Sequence, residues 1–367
     1  MNLENIQLSE QTKKNLQKIG YNKLTSIQEK VIPLILSGKD IIGQSKTGTG
    51  KTASFMIPVV EKLVKSSRPQ VLVLVPTREL ACQVKEEAQK LSSHLNINCL
   101  AVYGGDSIEK QLRAFRKGID VVVGTPGRIT DHLKRKTFQT DNLKFVILDE
   151  ADEMINKGFL KEIEWIIKKT PANRQTLLFS ATISPDIEGF AQRFLKKPEI
   201  IVGESQKSEE NNIEQFYLET MPRKKTQDLA KFLLVNKPKS TLIFSNTKRR
   251  VEEIENSLRK EGLIVDYIHS DLSQNRRTRV LDKFRNKRIP ILIATDVAAR
   301  GIHVNDINYV INYDFPQTYE FYVHRIGRTG RAGSSGKAIT FISSPKEKNE
   351  LMKLSRQKDY KINRLTL

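Results

Sequence analysis

DIIGQSKTGTGKTASFMIPVVEKLV, residues 40–64, is the stretch on which the fold turns. A short apolar run ends at Gly43, a glycine- and threonine-rich loop follows, and an amphipathic helical pattern begins after Lys51-Thr52. Strand, glycine loop, Lys-Thr and helix is the context that a phosphate-binding P-loop requires. The loop consists of Ser45, Lys46, Thr47, Gly48, Thr49, Gly50, Lys51 and Thr52. Gly48 and Gly50 let backbone N–H groups face phosphate oxygens with no Cβ in the way. A helix starting near Lys51 adds the positive end of its dipole. Lys51 reaches the terminal phosphates as a point charge, and the Thr52 hydroxyl is suited to Mg²⁺. The usual pattern opens with glycine where this chain has Ser45, and the strand and helix flanks outweigh that change.

Outward from this loop, short apolar runs recur, each followed by an amphipathic stretch. In the first half they are residues 40–43, 70–76, 98–104, 120–126, 145–152 and 175–182. Runs of this length, separated by helical patterns, fit a parallel sheet buried on both faces. Polar residues gather at the carboxyl ends of the runs, where open α/β sheets bind ligands. GESQKSEENN at 203–212 breaks the pattern and reads as a linker. The alternation resumes at 214–219, 240–247, 264–269, 289–296, 307–314 and 336–343. Two α/β halves follow: a domain over 1–203, a linker over 204–212 and a domain over 213–367. Ser9 is expected to cap a helix that stops at Gly20, and Ser184-Pro185 to open another.

The 367 residues carry 62 Lys and Arg against 42 Asp and Glu, a formal net charge of +20. That excess favours a polyanionic partner, nucleic acid before an anionic membrane surface, with solubility as the plainer alternative. Two cysteines, Cys82 and Cys99, form no paired pattern, which points to a reducing compartment. The N-terminus lacks the apolar core of a signal peptide. No apolar run is long enough to span a bilayer. A cytoplasmic location is expected.

A P-loop needs a second carboxylate for its metal. Asp149-Glu150 follows the apolar run FVIL. Alone, such a pair reads more readily as a solvated helix cap. Beside a P-loop, Asp149 fits a Mg²⁺ site, and Glu150 is placed to orient or deprotonate an attacking water.

Asp149-Glu150-Ala151-Asp152 spells DEAD, and around it the chain resembles the DEAD-box RNA helicase family, bacterial type, from about Leu3 to about Phe341. The resemblance is carried by TSIQ (25–28), SKTGTGKT (45–52), PTREL (76–80), Gly104-Gly105, TPGR (125–128), DEAD (149–152), SAT (180–182), IFSNT (243–247), Gln274 with Arg277, ATDVAARG (294–301) and HRIGRTGR (324–331), in that order. It implies two tandem RecA-like domains, each a mostly parallel sheet flanked by helices. It also implies ATP and Mg²⁺ at a cleft between them and single-stranded RNA across the opposite face. Tyr21, Gln28, Asp152 and His303 would join the loop around ATP, Gln28 reading adenine through its amide. Arg328 and Arg331 would reach the γ-phosphate from the second domain. Ser180, Thr182, His324 and Arg325 would relay between the nucleotide and the other domain. RNA contacts would come from Thr77, Arg78, Gly105, Thr125 and Arg128, and from Asn246, Gln274, Arg277, Thr295 and Arg300. Arg276 and Arg279 stay undecided. Few aromatics lie in these loops, so backbone contacts indifferent to sequence are expected, on single-stranded and duplex RNA. Closure on ATP and RNA would bend one strand and separate a short duplex. A monomer is expected, with ribosome-assembly or RNA-decay proteins as possible partners. An ATP-gated RNA clamp and a DNA translocase are the competing readings.

Leu3 stands where the family usually has an aromatic, and His303 where it usually has aspartate on the ribose. Tyr21 and Leu24 replace a common Phe and Pro. The resemblance also implies a helicase core without the C-terminal RNA-targeting domain or basic tail of many members. A neutral imidazole at His303 can still bond a ribose hydroxyl, so ATP affinity should be weaker without loss of activity. In His303→Asp, ATP turnover at saturating RNA should hold or rise; a fall would remove this account of His303.

Overall fold

The computed structural model describes residues 6–45, 50–203, 213–299, 307–330, 335–358 and 360–366. Its contacts divide the chain into two units, residues 1–205 and 206–367.

In the first unit seven strands form one sheet. They are β1 (Ile41–Gln44), β2 (Val71–Leu74), β3 (Cys99–Val102), β4 (Val121–Gly124), β5 (Phe145–Leu148), β6 (Gln175–Ser180) and β7 (Glu199–Val202), in the order β3-β4-β2-β5-β6-β1-β7. The second unit has β8 (Ile213–Glu219), β9 (Thr241–Phe244), β10 (Val265–Ile268), β11 (Ile291–Ala294), β12 (Tyr309–Asn312), β13 (Gly336–Ile342) and β14 (Ile362–Leu365). Their order, β10-β11-β9-β12-β13-β8-β14, repeats the permutation of the first sheet. Every strand pair among the described residues is parallel. The expected mostly parallel sheets are therefore parallel throughout, and each has one strand more than the apolar runs revealed. The added strands, β7 and β14, lie at sheet edges and are only partly buried, so neither forms a continuous apolar run.

The central strands bury both faces because a strand alternates its side chains. Val71 and Val73 of β2 enter one core with Phe55 and Phe179, and Leu72 and Leu74 enter the opposite core with Ile166 and Phe190. In β9, Ile243 enters one core while Leu242 and Phe244 enter the other. Each such side chain stabilises the unit by about 1.5–3 kcal/mol.

Hydroxyl caps start several of the helices. Ser9 accepts from Thr12 N at 3.3 Å and opens Glu10–Lys18, and Ser184 accepts from Ile187 N at 3.4 Å and opens Pro185–Phe194. Some helix exits are less favourable. Helix Lys225–Asn236 ends on exposed Lys237 with φ 42° and ψ 55°, a left-handed conformation that costs a non-glycine residue about 1 kcal/mol. Lys237→Gly should stabilise the second unit by about 0.5 kcal/mol after its added unfolded-state entropy, seen as a higher urea midpoint. A lower midpoint would show that Lys237 is not strained.

Candidate active site and nucleic-acid interface

The carboxyl ends of β1, β5 and β6 meet because β6 lies between the other two. Gln44 is in register with Ser180, and Ser45 N donates to Ser180 O at 3.0 Å. Lys46, Thr47, Gly48 and Thr49 lie outside the described residues. Gly50 follows them at φ 84°, a value that suits glycine, and opens helix Lys51–Glu61. Gln28, 2 % exposed, spans two motifs: its Oε1 accepts from Thr25 N at 2.9 Å, and its Nε2 donates to Gly50 O at 3.2 Å. The expected adenine reader is thus also the tie between a helix cap and the phosphate loop. Lys51 is buried, and its Nζ donates to Ser45 O at 2.9 Å. Thr52 is half-buried on the first turn of the same helix. The Tyr21 hydroxyl donates to Glu87 Oε1 at 2.6 Å, and burial with that carboxylate raises its pKa.

Asp149 is 3 % exposed at the end of β5, and its Oδ1 accepts from Glu150 N at 3.0 Å. Burial pushes its pKa up to about 6 against the opposing charge of Lys51, with Glu150 adding to the rise. A carboxylate that burial makes costly to ionise, even beside Lys51, fits a divalent cation, which would supply further positive charge. Glu150 has φ 55° and ψ 52°, left-handed for a residue with a Cβ, at a cost of about 1–2 kcal/mol.

Asp152 is fully engaged with the turn after β6. Its Oδ2 accepts from Ala181 N at 3.2 Å, Thr182 N at 3.0 Å and Thr182 Oγ1 at 3.1 Å. Ser180 Oγ accepts from Asp152 N at 3.2 Å and donates to Thr182 O at 2.7 Å. Asp152, expected around ATP, therefore clamps the SAT turn, and Ser180 and Thr182 are its partners.

The turn after β3 brings together Arg78, Gly105 and Arg128 of the expected nucleic-acid residues of the first unit. A Cβ on Gly105 would overlap the Arg78 guanidinium, and Gly105 has φ 84°. Arg128 donates through Nη1 to Gln111 Oε1 and through Nη2 to Asp106 O, each at 3.3 Å. Thr77 caps helix Arg78–Leu91 by accepting from Leu80 N at 3.2 Å, and Thr125 precedes helix Pro126–Lys134. Sequence reading missed two buried supports. Gln111 Oε1 also lies 2.9 Å from His132 Nε2, and His132 Nδ1 lies 2.8 Å from Thr137 Oγ1. Burial, then the Arg128 charge, lowers the His132 pKa. Both residues sit in amphipathic helices, where nothing marks them out.

In the second unit Arg325 is the centre. It is 1 % exposed. Nε and Nη2 each donate to an Asp296 carboxylate oxygen at 2.6 Å, Nη1 donates to Asp314 O at 2.7 Å, and Nη2 donates to Asn246 Oδ1 at 2.7 Å. These partners of the expected relay residue belong to its own unit, and Asn246, expected on RNA, is one of its acceptors. Asn246 Nδ2 also donates to Phe315 O at 3.0 Å. Asp296, absent from the expected site, is the principal partner, and the neighbouring Thr295 is 8 % exposed. Arg328 Nε donates to His324 O at 3.2 Å, and Arg328 shares a small cleft with Asp296, His324 and Arg325. Gln274 and Arg277 lie on the first turn of helix Gln274–Arg285, which Ser273 caps. Arg300, His303 and Arg331 lie outside the described residues, as does Leu3.

A glycine-turned lysine helix, a buried acidic strand end and two parallel-sheet units define a P-loop ATPase class. Family models described as "DEAD/DEAH box helicase" and "Helicase conserved C-terminal domain" match residues 25–190 and 224–333. The DEAD-box ATP-dependent RNA helicase CshA of Geobacillus kaustophilus is 47% identical over 359 residues, 98% of this chain and 77% of that protein. CshA of Bacillus subtilis is 45% identical over 363 residues, 99% of this chain and 73% of that protein. The solved structure of S. cerevisiae Dbp5 bound to RNA and ADP BeF3 matches with TM-score 0.89 and 30% identity, covering 99% of this chain and 95% of that one. The chain belongs to the DEAD-box ATP-dependent RNA helicases. No helix among the described residues is long and apolar enough to cross a membrane.

Asp149 gives this site a pH signature. Its folded pKa of about 6 exceeds the ordinary aspartate value of 3.8, so the folded chain holds the extra proton in that window. The group's contribution to ligand-free stability is therefore greatest below about pH 4 and is lost as pH rises through about 6. Asp149→Asn should raise the ligand-free unfolding midpoint at pH 8 and leave it nearly unchanged at pH 4, measured by thermal unfolding. An equal shift at both values would show that Asp149 is not held costly by burial.

Proposed function

We propose that ATP hydrolysis in this chain is stimulated by RNA and coupled to closure of its two units, with local unwinding or remodelling of RNA duplexes and ribonucleoproteins. The observation that carries the residue roles is the burial of Lys51, on the first turn of the helix after β1, and of Asp149, at the end of β5, whose carboxylate burial makes costly to ionise.

In this reading Lys51 exchanges the Ser45 carbonyl for the terminal phosphates. Thr52 and Asp149 would hold Mg²⁺, which when bound neutralises phosphate charge. Glu150 orients a water and takes its proton as the water oxygen bonds to the γ-phosphorus. The bond to the bridging oxygen breaks, leaving ADP and inorganic phosphate. Arg328 and Arg331 stabilise the negative charge that develops. Arg325 acts as a positioning residue: its bonds to Asp296, Asn246 and Asp314 fix the helix Tyr319–Ile326, just ahead of Arg328. Gln28 reads adenine and reports its position to Gly50.

Arg78, Arg128, Gln274, Arg277, Thr295 and Arg300 take RNA phosphates, with Thr77, Gly105, Thr125 and Asn246 shaping the path. Such contacts favour no sequence. A cytoplasmic monomer that serves ribosome assembly or RNA decay fits this chemistry and the net charge of +20.

Steady-state ATP hydrolysis without nucleic acid, with single-stranded RNA and with single-stranded DNA tests the reading. Stimulation by RNA alone is expected; equal stimulation by DNA would sink the RNA assignment. ATP-dependent RNA retention without turnover would instead support a clamp. Glu150→Gln should keep ATP-dependent RNA binding and lower turnover by about 100-fold or more; unchanged turnover would refute the role of Glu150.

A further inference from the structure

The first unit carries a second basic surface on the edge of its sheet away from the nucleotide residues. A groove of about 740 Å³ is lined by Trp165, Arg68, Lys134, Lys136, Lys168 and Lys169, among others. Arg68 comes from the segment leading into β2, and the other residues from the end of helix Pro126–Lys134, the segment leading into β5, helix Leu160–Lys168 and the segment leading into β6. These segments meet the amino ends of β5 and β6, whereas Asp149 and Ser180 stand at the carboxyl ends. The four residues of β5 alone separate the two edges by about 13 Å.

Three observations give the groove a chemistry. Trp165 is the chain's single tryptophan and is half-buried, resting on the core of that face. Lys134 Nζ and Lys169 Nζ lie 5.9 and 5.7 Å from its ring centroid, within cation–π range. Lys134, Lys136, Lys168 and Lys169 are exposed, and among the described residues no ion pair engages them. The single carboxylate of the lining, Asp141, is taken by Arg68 at 2.5 Å. Asp141 also borders an adjoining cleft of about 510 Å³ that adds Lys144, Arg174 and Lys196.

We propose that this groove is a second binding site for single-stranded RNA, separate from the arginines around Gly105, with a base stacked on Trp165 and the flanking phosphates on the four lysines. A nucleic-acid strand supplies both a π-face and regularly spaced phosphates, which is what an aromatic ring among unpaired cations takes. An acidic protein segment would supply charge and leave the indole unused. The site lets the chain hold an RNA by a flanking single strand while the opposite edge of the sheet works on another part. The proposal builds on RNA as the substrate and adds an anchoring site to it.

Trp165 makes the site self-reporting. The 367-residue chain is titrated with a ten-nucleotide oligouridylate without ATP, following intrinsic fluorescence. Saturable quenching is expected, with log K falling against log salt by roughly 0.7 for each phosphate contacted. Lys168→Glu with Lys169→Glu should weaken the quenching titration about tenfold or more, with the unfolding midpoint checking that the variant is folded. Arg78→Glu with Arg128→Glu, on the other edge, should keep the quenching, which separates direct contact from a conformational response. Absence of quenching, or quenching untouched by the lysine reversals, would overturn the site. Quenching by oligoglutamate and not by RNA would overturn it in favour of an acidic protein partner. RNA-stimulated turnover is measured on the same preparation. If turnover responds to RNA but fluorescence does not, the groove fails and the helicase reading stands; if turnover does not respond, the helicase reading fails on its own.

Discussion

An ammonium and a carboxylate are held out of water at one edge of a parallel sheet, and much of the first unit serves that arrangement. Lys51 bonds the Ser45 carbonyl, while Asp149 has a raised pKa because burial outweighs the attraction of Lys51. Charge in such a place costs several kcal/mol unless it is paired. Apolar strands make this possible. Leu72, Leu74, Val146 and Leu178 are almost fully buried, so the strands are fixed by packing and need no help from the polar residues at their ends. Those residues are then free to be selected for ligands.

The second unit uses the same strand permutation for a different electrostatic task. Its most deeply buried charge among the described residues is Arg325, and a carboxylate of the same unit, Asp296, meets it with two bonds of 2.6 Å. A buried ion pair is poor insurance of stability, since desolvation offsets most of the attraction. Its value is geometric: a planar guanidinium with partners on every side has one orientation. Helix Tyr319–Ile326 is thereby fixed against residues at or just past the carboxyl ends of β9, β11 and β12. The first sheet holds at its carboxyl edge a carboxylate that burial makes costly to ionise, and the second uses the partners of Arg325 for rigidity.

Strands buried on both faces were legible in the sequence, because burial writes itself as uninterrupted Val, Ile, Leu and Phe. β7 and β14 were not, since an edge strand needs only some of its side chains inside and INRL has the composition of a loop. Lys51, Thr52 and the Asp149-Glu150 pair could be read because their spacing follows from one local turn. Asp152 could not be assigned its partners: Ala181 and Thr182 lie 29 and 30 residues away, and only the register of β5 on β6 brings them near. The same holds for Asn246 with Arg325, 79 residues apart, and for Gln111 beneath Arg128. Spacing reveals residues that share a turn; bonds that depend on strand order need the sheet.

The strained backbone at Glu150 follows from this division. Strand β5 must end where Asp149 is buried, and helix Ala151–Asn156 must begin where Asp152 can reach the SAT turn. One residue is left to turn the chain between them, and it takes the left-handed conformation. That position gives Glu150 no choice of direction. Glycine would adopt the turn without strain but would bring no carboxylate. The conformational cost of about 1–2 kcal/mol is offset by bonds on either side, Asp149 Oδ1 to Glu150 N before it and the Asp152 clamp after it. Because three bonds from the SAT turn end on the residue two positions beyond Glu150, a shift of that turn reaches the carboxylate through a backbone with little freedom to absorb it. The bonds of Ser180 and Thr182 to Asp152 thus tie the SAT turn to the backbone that carries Glu150.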